Sequence, residues 1–461
     1  MMGIKKWTKH LVYNQVPIYP LIIYRIVFGL MMFFSTCRFV IKGWIHDLYL
    51  TPKYFFTYLW FDWVNPISED FIYIAFIILI ICSLLITFGL LYRASAIIFF
   101  LLFTYIELID KTNYLNHYYF ISLISFIIIF LPANKLFSLD IKFNFVKKKT
   151  TISAWKINII KFQIGIVYFF AGIAKINYHW LFEAQPLTNW LKHQSDFPLI
   201  GNLLTYDITA FLFSWFGALF DLSIFFILIS KKWRVFGYFL VVIFHVMTSI
   251  MFPIGVFPLV MIASTLIFFS DQLHISILKF LSKKNESLEL TIIQNSELEE
   301  NNQILKVLFI AFFVLQLLLP LRYLLYPGKL FWTEQGYRFS WRVMLIEKAG
   351  YAQFFIHEPK MDRKMLIDNK KYLTAQQEKM MATQPDMILQ FAHFISSEFK
   401  DSTIIETNGE IICMGEKPKV TAQVKVSLFN KGSKDFVNSN IDLSKEERGL
   451  KNKEWILPYE D

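Results

Sequence analysis

The sequence predicts a mainly α fold, a polytopic bundle of transmembrane helices with a C-terminal extramembrane domain of mixed α/β structure, and three observations predict it. Hydrophobic residues make up 55% of the 461 positions and the mean hydropathy is +0.44, an excess that no soluble domain carries. Charged residues stay at 18%, below the roughly 25% of globular chains, while 50 Phe bring the aromatics to the same 18%. The apolar residues fall in long runs between short basic clusters, and beyond Tyr326 the composition turns to that of a soluble chain.

A helix needs about 20 apolar residues to cross a hydrocarbon core about 30 Å thick. By that measure about nine spans are expected, near residues 18–42, 70–92, 94–109, 117–132, 157–176, 208–230, 233–252, 254–270 and 304–326. The third, fourth and eighth are short, the mark of tilted, interrupted or neighbour-buried helices. Interrupted spans line cavities. The run Pro20 to Val40 follows Lys5, Lys6 and Lys9 and lacks a small-residue cleavage pattern, so it reads as a retained first helix and not as a signal peptide.

Taken in alternation, the N-terminus, the turn at Arg93, the stretch 133–156 with Lys147, Lys148 and Lys149, and Lys231-Lys232-Trp233-Arg234 share one side. The positive-inside rule makes that side cytoplasmic. The membrane domain then comprises residues 1–326, and residues 327–461 form an extracytoplasmic, β-rich domain docked on the bundle. The Phe- and Ile-rich style points to a bacterial inner membrane. The mixed-charge segment 282–303 is expected to be a cytoplasmic loop of little structure. In the tail, Val420, Ala422, Val424, Val426 and Leu428 alternate as in a half-buried strand, and further strands are expected at 352–358 and 403–414. Met380, Met381, Met387, Ile388, Phe391 and Phe394 instead recur near helical spacing within 374–398.

The 46 basic and 36 acidic residues leave a net charge of +10. Because the cations are dispersed between spans and form no stripe, no nucleic-acid partner is expected, and anionic lipid is the partner that suits Lys147, Lys148 and Lys149. Cys37, Cys82 and Cys413 have no metal-ligand spacing, so neither a metal site nor a disulfide framework is expected. The chain has no Gly-rich phosphate loop and no HExxH pair.

Polar residues inside spans are costly, which makes them functional candidates. Asn116 and His117 begin a helix entering the membrane, where free amide groups favour anions; the alternative is an interfacial capping turn. Lys175 ends a helix that is apolar for four turns. It is either a lysine snorkelling to the surface or an amine held in an apolar pocket, where desolvation frees it to act as a base. Gly172 beside it admits another helix or a flat ligand. His245 lies deep in the seventh span, bonded across helices or facing a ligand. His10, His274 and His357 are expected at the surface.

These strings resemble the vitamin K-dependent gamma-carboxylase family, whose membrane region defines the wider HTTM group. The residues that carry the resemblance are Asp110-Lys111-Thr112 with Asn116-His117, Val167-Tyr168-Phe169-Phe170-Ala171-Gly172 with Lys175 and Trp180, Phe244-His245 with Phe252-Pro253-Ile254-Gly255, and Trp332-Thr333 with Tyr337, Ser340-Trp341 and Met344. They occur in the family's order over about residues 20–430.

The resemblance implies an enzyme that uses reduced vitamin K, a hydroquinone, with O2 and CO2 as co-substrates and with no metal or nucleotide. Epoxidation of the quinone is coupled to γ-proton removal and CO2 addition at a glutamate of a protein or peptide substrate. Lys175 matches the lysine that deprotonates the hydroquinone, and His117 matches the histidine held to stabilise the oxygenated form, with Asn116 as a further donor. Tyr114, Tyr168, His245, Trp341 and Met344 are matched as the naphthoquinone pocket. This chain has Ala174 where animal members have a second lysine, and Arg342 where they have an acid. It is also expected to be a shorter, bacterial-type member, because animal members continue well beyond its end. These departures leave two alternatives open: quinol epoxidation without carboxylation, and a transporter or scaffold on the same bundle.

Overall fold

The computed structural model describes residues 14–282, 302–358, 363–405, 411–415 and 417–460. Helices form where the apolar runs are, and polar residues or glycines end them. After the strand β1 (Gln15–Pro17) comes α1 (Tyr19–Ile41). The second helix, α2 (Glu69–Phe88), starts at Ser68, whose hydroxyl accepts from Phe71 N at 3.1 Å, and stops at Gly89 with φ +64°. Next in order are α3 (Tyr92–Ile109), α4 (Asn116–Ile129), β2 (Thr151–Ser153) and α5 (Trp155–Lys175). They are followed by α6 (Asp207–Ile229), α7 (Arg234–Met251), α8 (Phe257–Thr265), α9 (Asp271–Ser282) and α10 (Gln303–Leu318), the last continued by a 3-10 turn to Leu325.

Among the described residues seven helices are long and apolar enough to cross a membrane, namely α1, α2, α3, α5, α6, α7 and α10 with its continuation. The other two expected spans depart from the simple form. Helix α4 has only 14 residues, and α8, with its 3-10 extension, is bent by 113° from α9. Both belong to the wall that carries the candidate site. Of the charged segment 282–303 expected to be a loop, residues 283–301 lie outside the described residues, while Ser282 and Gln303 belong to α9 and α10.

The basic side is held together by specific bonds. β1 pairs antiparallel with β2, bringing the start of the chain to residues 151–153. The Asp140 carboxylate accepts from Leu91 N at 2.7 Å, Tyr92 N at 3.2 Å and Asn134 Nδ2 at 2.7 Å, which caps α3 and ties the Arg93 turn to the basic loop. Arg25 adds a bond to Phe137 O at 2.6 Å. The basic clusters around Arg93 and 133–153 therefore lie on one face, as their alternation requires.

The tail contains β3 (Lys348–His357), β4 (Lys364–Ile367), the helices α11 (Ala375–Met381) and α12 (Pro385–Glu398), and the strands β5 (Thr403–Ile405), β6 (Ile411–Cys413), β7 (Val420–Leu428) and β8 (Ser433–Asp435). An antiparallel sheet of order β4-β3-β7-β8 forms its centre, with Ala352 opposite Val424 and Phe354 opposite Ala422. Every second residue of β7 from Val420 to Leu428 is buried, and Met381, Met387, Ile388 and Phe391 pack in the same core. The expected strand over 403–414 is instead two short strands paired with each other. His274 and His357, expected at the surface, are buried; His274 bonds Ser270 O at 2.8 Å and His357 bonds Thr421 Oγ1 at 3.0 Å. Burying an imidazole is tolerated there because each ring finds a partner.

The sheet domain meets the bundle through polar bonds as well as apolar packing. Gln377 Nε2 donates to Tyr54 O at 2.7 Å and to Asp110 Oδ2 at 2.8 Å, Gln390 Nε2 donates to Thr57 Oγ1 at 2.9 Å, and Lys111 pairs with Asp386 at 2.8 Å. The core below this seam is shared: Trp180, Leu187 and Phe252 of the bundle side join Trp332, Leu345 and the sheet residues in one cluster.

Candidate active site

Helix α5 places Tyr168, Ala171, Gly172 and Lys175 at i, i+3, i+4 and i+7, on one face. Asn177 ends it, donating to Ala174 O at 2.9 Å while its side-chain oxygen accepts from Trp180 N at 3.0 Å. Gly165 and Gly172, one heptad apart, let α6 lie against this helix. A Cβ on Gly165 would stand 2.6 Å from the Phe225 ring, and one on Gly172 would stand 2.7 Å from Leu222 Cγ and 2.9 Å from its backbone N. The close neighbour of Gly172 is therefore a helix.

That approach brings Asp221 to Lys175. Nζ lies 2.6 Å from Asp221 Oδ2 and 3.4 Å from Ala171 O, and it sits over the Trp180 ring at 5.3 Å from the centroid. Lys175 is 6% exposed and Asp221 5%. The lysine turns inward and does not snorkel, and its Nζ faces a buried carboxylate as well as apolar neighbours. Trp180 is itself fixed through Nε1, which donates to Ser214 O at 2.8 Å.

The pair forms part of the wall of a largely apolar cavity between α5, α6, α7 and α8, with Tyr168, Gly217, Phe244, His245 and Met344 among its other lining residues. His245 Nε2 and the Tyr168 hydroxyl are 3.0 Å apart, whereas His245 Nδ1 is buried with no hydrogen-bond partner among the described residues. Phe244 stacks on Phe220 with centroids 4.2 Å apart. Opposite Lys175 the wall is flat, because a Cβ on Gly217 would only come to 3.8 Å from Lys175 Cε and 3.7 Å from the Trp180 ring.

Asn116 and His117 line a second cavity, which shares Ile254, Phe257, Val343 and Met344 with the first. Phe257 stands between the two histidines, its ring centroid 6.0 Å from that of His117 and 5.8 Å from that of His245. The sequence candidates thus divide. Tyr168, Lys175 and His245 lie on one side of this partition, Asn116 and His117 on the other, and Met344 belongs to both.

Tyr114 and Trp341 line neither cavity. They hold the strap 333–344 that supplies Val343 and Met344. The Tyr114 hydroxyl donates to Asn116 Oδ1 at 3.1 Å and accepts from Phe339 N at 2.9 Å, and Asn116 Nδ2 donates to Arg342 O at 3.2 Å. Trp341 stacks on Tyr119 with centroids 4.9 Å apart. The strap has an unusual backbone: Glu334, Phe339, Trp341 and Met344 have φ of +50°, +62°, +58° and +56°. Each such residue costs about 1–2 kcal/mol, and strain of this kind persists where surrounding structure holds it for a purpose.

Asp221 is the residue that sequence reading passed over, although a carboxylate inside an apolar run is itself a signal. Among the described residues no group of three or more His, Cys, Asp or Glu could hold a metal ion.

A membrane bundle with a buried lysine–carboxylate pair on an apolar cavity, packed against a C-terminal region of helices and β sheets, is the class of protein these features define. Family models match nearly the whole chain: the HTTM domain over residues 13–272, and the vitamin K-dependent gamma-carboxylase, lumenal domain, over residues 301–461. The chain belongs to the vitamin K-dependent gamma-carboxylase family of HTTM-domain membrane proteins. No solved structure matches it.

Proposed function

We propose that this protein is an integral membrane enzyme that converts reduced vitamin K to its epoxide and couples that reaction to γ-proton removal and CO2 addition at a glutamate of a protein or peptide. The observation that carries the reading is the Lys175–Asp221 contact of 2.6 Å on the wall of an apolar cavity, in a chain of this family.

The lining suits a flat aromatic quinol. Gly217 leaves room beside Lys175, Phe244 and Met344 offer polarisable surface, and His245 Nδ1 is a buried polar atom without a partner. When bound, the quinol would supply with O2 the strong base that a glutamate γ-proton demands, since a neutral lysine amine, with a conjugate-acid pKa of about 10.4, is far too weak. The chain's own task is proton handling and exclusion of water. Moving the shared proton from Lys175 Nζ to Asp221 Oδ2 leaves a neutral amine beside a neutral acid, and Nζ then accepts the proton of a quinol hydroxyl. The Tyr168–His245 bond fixes the imidazole through Nε2 and leaves Nδ1 unpaired among the described residues, so that His245 would hold a quinol oxygen through that atom. Beyond Phe257 and Met344, His117 and Asn116 provide donors for negative charge in the neighbouring cavity.

In the same reading the basic face is cytoplasmic in a bacterial inner membrane, residues 1–326 form the catalytic bundle, and residues 327–461 form an extracytoplasmic domain that receives the glutamate substrate. The test is epoxide formation by the purified protein in nanodiscs with reduced vitamin K, O2, bicarbonate and a Glu-containing peptide, comparing wild type with Lys175→Ala. The expected result is epoxide from wild type only, with labelled CO2 in the peptide. Epoxide without label reassigns the protein to uncoupled quinol epoxidation; undiminished epoxide from a folded Lys175→Ala sample removes the lysine from the chemistry.

A further inference from the structure

We propose that a cavity at the junction of the bundle and the tail domain binds the phosphate-bearing headgroup of an anionic lipid. The cavity encloses about 390 Å³ between the ends of α3 and α10, the strap and α12. It is separate from the two cavities that hold Lys175 and His117.

Its charge balance is one-sided. Lys111, Arg322, Arg338, Arg448 and Lys453 line it against only Glu334 and Asp386, an excess of 5 − 2 = +3. The two acids are already engaged. Asp386 pairs with Lys111 at 2.8 Å and with Arg338 at 2.7 Å, while Glu334 pairs with Lys348 at 3.0 Å. Arg448 is satisfied from outside the lining by Asp62 at 2.6 Å.

Arg322 and Lys453 are left over. Arg322 Nη2 donates to Arg338 O at 2.9 Å with its guanidinium 5.8 Å from the Phe339 ring centroid, and Lys453 Nζ donates to Gly449 O at 3.5 Å and feels Asp386 without pairing with it. Among the described residues neither has a carboxylate at ion-pair distance, so the site has a guanidinium and an ammonium to offer an anion. Arginine and lysine on the lining of one cavity are the donors that phosphate oxygens favour.

The rim says what the anion is attached to. Trp60 and Leu450 line the opening and are 71% and 56% exposed, and the 3-10 continuation of α10 that carries Arg322 also exposes Leu324 and Leu325. Trp60 lies in the loop between α1 and α2, and exposed tryptophan outside the spans marks the headgroup level of a membrane. A phosphate in the cavity and acyl chains along these leucines would satisfy both halves of the surface with one amphipathic molecule.

Native mass spectrometry of the full chain in detergent, titrated with phosphatidylglycerol or phosphatidylcholine, tests this. One phosphatidylglycerol should be retained in preference to phosphatidylcholine, and Arg322→Gln with Lys453→Gln should weaken that binding by about tenfold or more. Lipid-free unfolding temperature of Lys453→Gln should match that of wild type, since that side chain has only a 3.5 Å bond to lose. Lys453→Gln alone, on the half-buried tail residue, provides the same reading with a smaller loss if the double variant does not fold. Equal retention of phosphatidylglycerol by wild type and variants overturns the proposal. So does protection from thermal unfolding by inorganic phosphate equal to that by the lipid, which would assign the cavity to free phosphate, or protection by a Glu-rich peptide and not by lipid, which would assign it to an acidic segment.

Discussion

Lys175 Nζ and Asp221 Oδ2 stand 2.6 Å apart across α5 and α6, with both side chains buried. Breaking a buried pair by removing one partner leaves an uncompensated charge and costs about 3–5 kcal/mol, whereas replacing both by apolar groups is close to neutral. Asp221→Leu and Lys175→Met should therefore each lower the unfolding temperature in detergent, and the double variant should recover most of the loss. Asp221→Asn should also lower epoxide formation, since the amide cannot take up the shared proton. Full turnover by Asp221→Asn would show that the carboxylate is structural only.

The same pair depends on how near the helices lie. A Cβ on Gly172 would meet Leu222 Cγ at 2.7 Å and its backbone N at 2.9 Å, and a backbone atom cannot swing aside. Gly172→Ala is expected to cost about 1–3 kcal/mol through overpacking and to lower turnover by pushing Asp221 from Lys175. Gly172→Ala with unchanged activity and unfolding temperature would show that the α5–α6 spacing is not critical.

Much of this arrangement was legible in the sequence, and the parts that were not have physical reasons. Span length and hydropathy located the helices, and strict alternation located β7, because both periodicities are local. Asp221 lies 46 positions from Lys175, and nothing local couples them. Trp341 and Met344 are assigned to one pocket by their positions in the motif that resembles the family. Their backbones, at φ +58° and +56°, turn Trp341 onto Tyr119 and Met344 into the cavities. Phe257 as the partition between His117 and His245 likewise depends on the break between α7 and α8, which hydropathy registers only as a short span.

At the seam between bundle and tail, stability should depend on pH through Asp386. Burial alone would raise its carboxyl, but Arg338 and Lys111 hold it well below the usual carboxylate range. A depressed folded value means that the stabilisation is fully present above the unfolded value of about 3.9 and is lost as pH falls through the folded one. Lys111 behaves oppositely. Burial pushes it down to about 8, against the pull of Asp386, so between about 8 and about 10.4 the unfolded chain binds more protons and stability rises with pH. Unfolding temperature measured from acid to alkaline pH should show both limbs. Asp386→Asn should remove the acid limb and cost about 1–2 kcal/mol at pH 7 because the carboxylate is partly exposed, and Lys111→Met should remove the alkaline rise.

The last prediction separates the proposed quinol-binding role of the Lys175 cavity from the stability of the fold. A Cβ at Gly217 would come into ordinary contact with the Trp180 ring at 3.7 Å and Lys175 Cε at 3.8 Å, so Gly217→Ala adds one methyl to the cavity wall beside Lys175 without a clash. The variant should unfold at or slightly above the wild-type temperature, because filled apolar space adds dispersion contacts. It should at the same time raise the KM for reduced vitamin K about tenfold or more, since one methyl group in a fitted pocket is worth about 1–3 kcal/mol. Measuring KM and unfolding temperature on the same preparation distinguishes the cases: a raised KM with a retained unfolding temperature places the quinol against Gly217, and an unchanged KM places it elsewhere in the bundle.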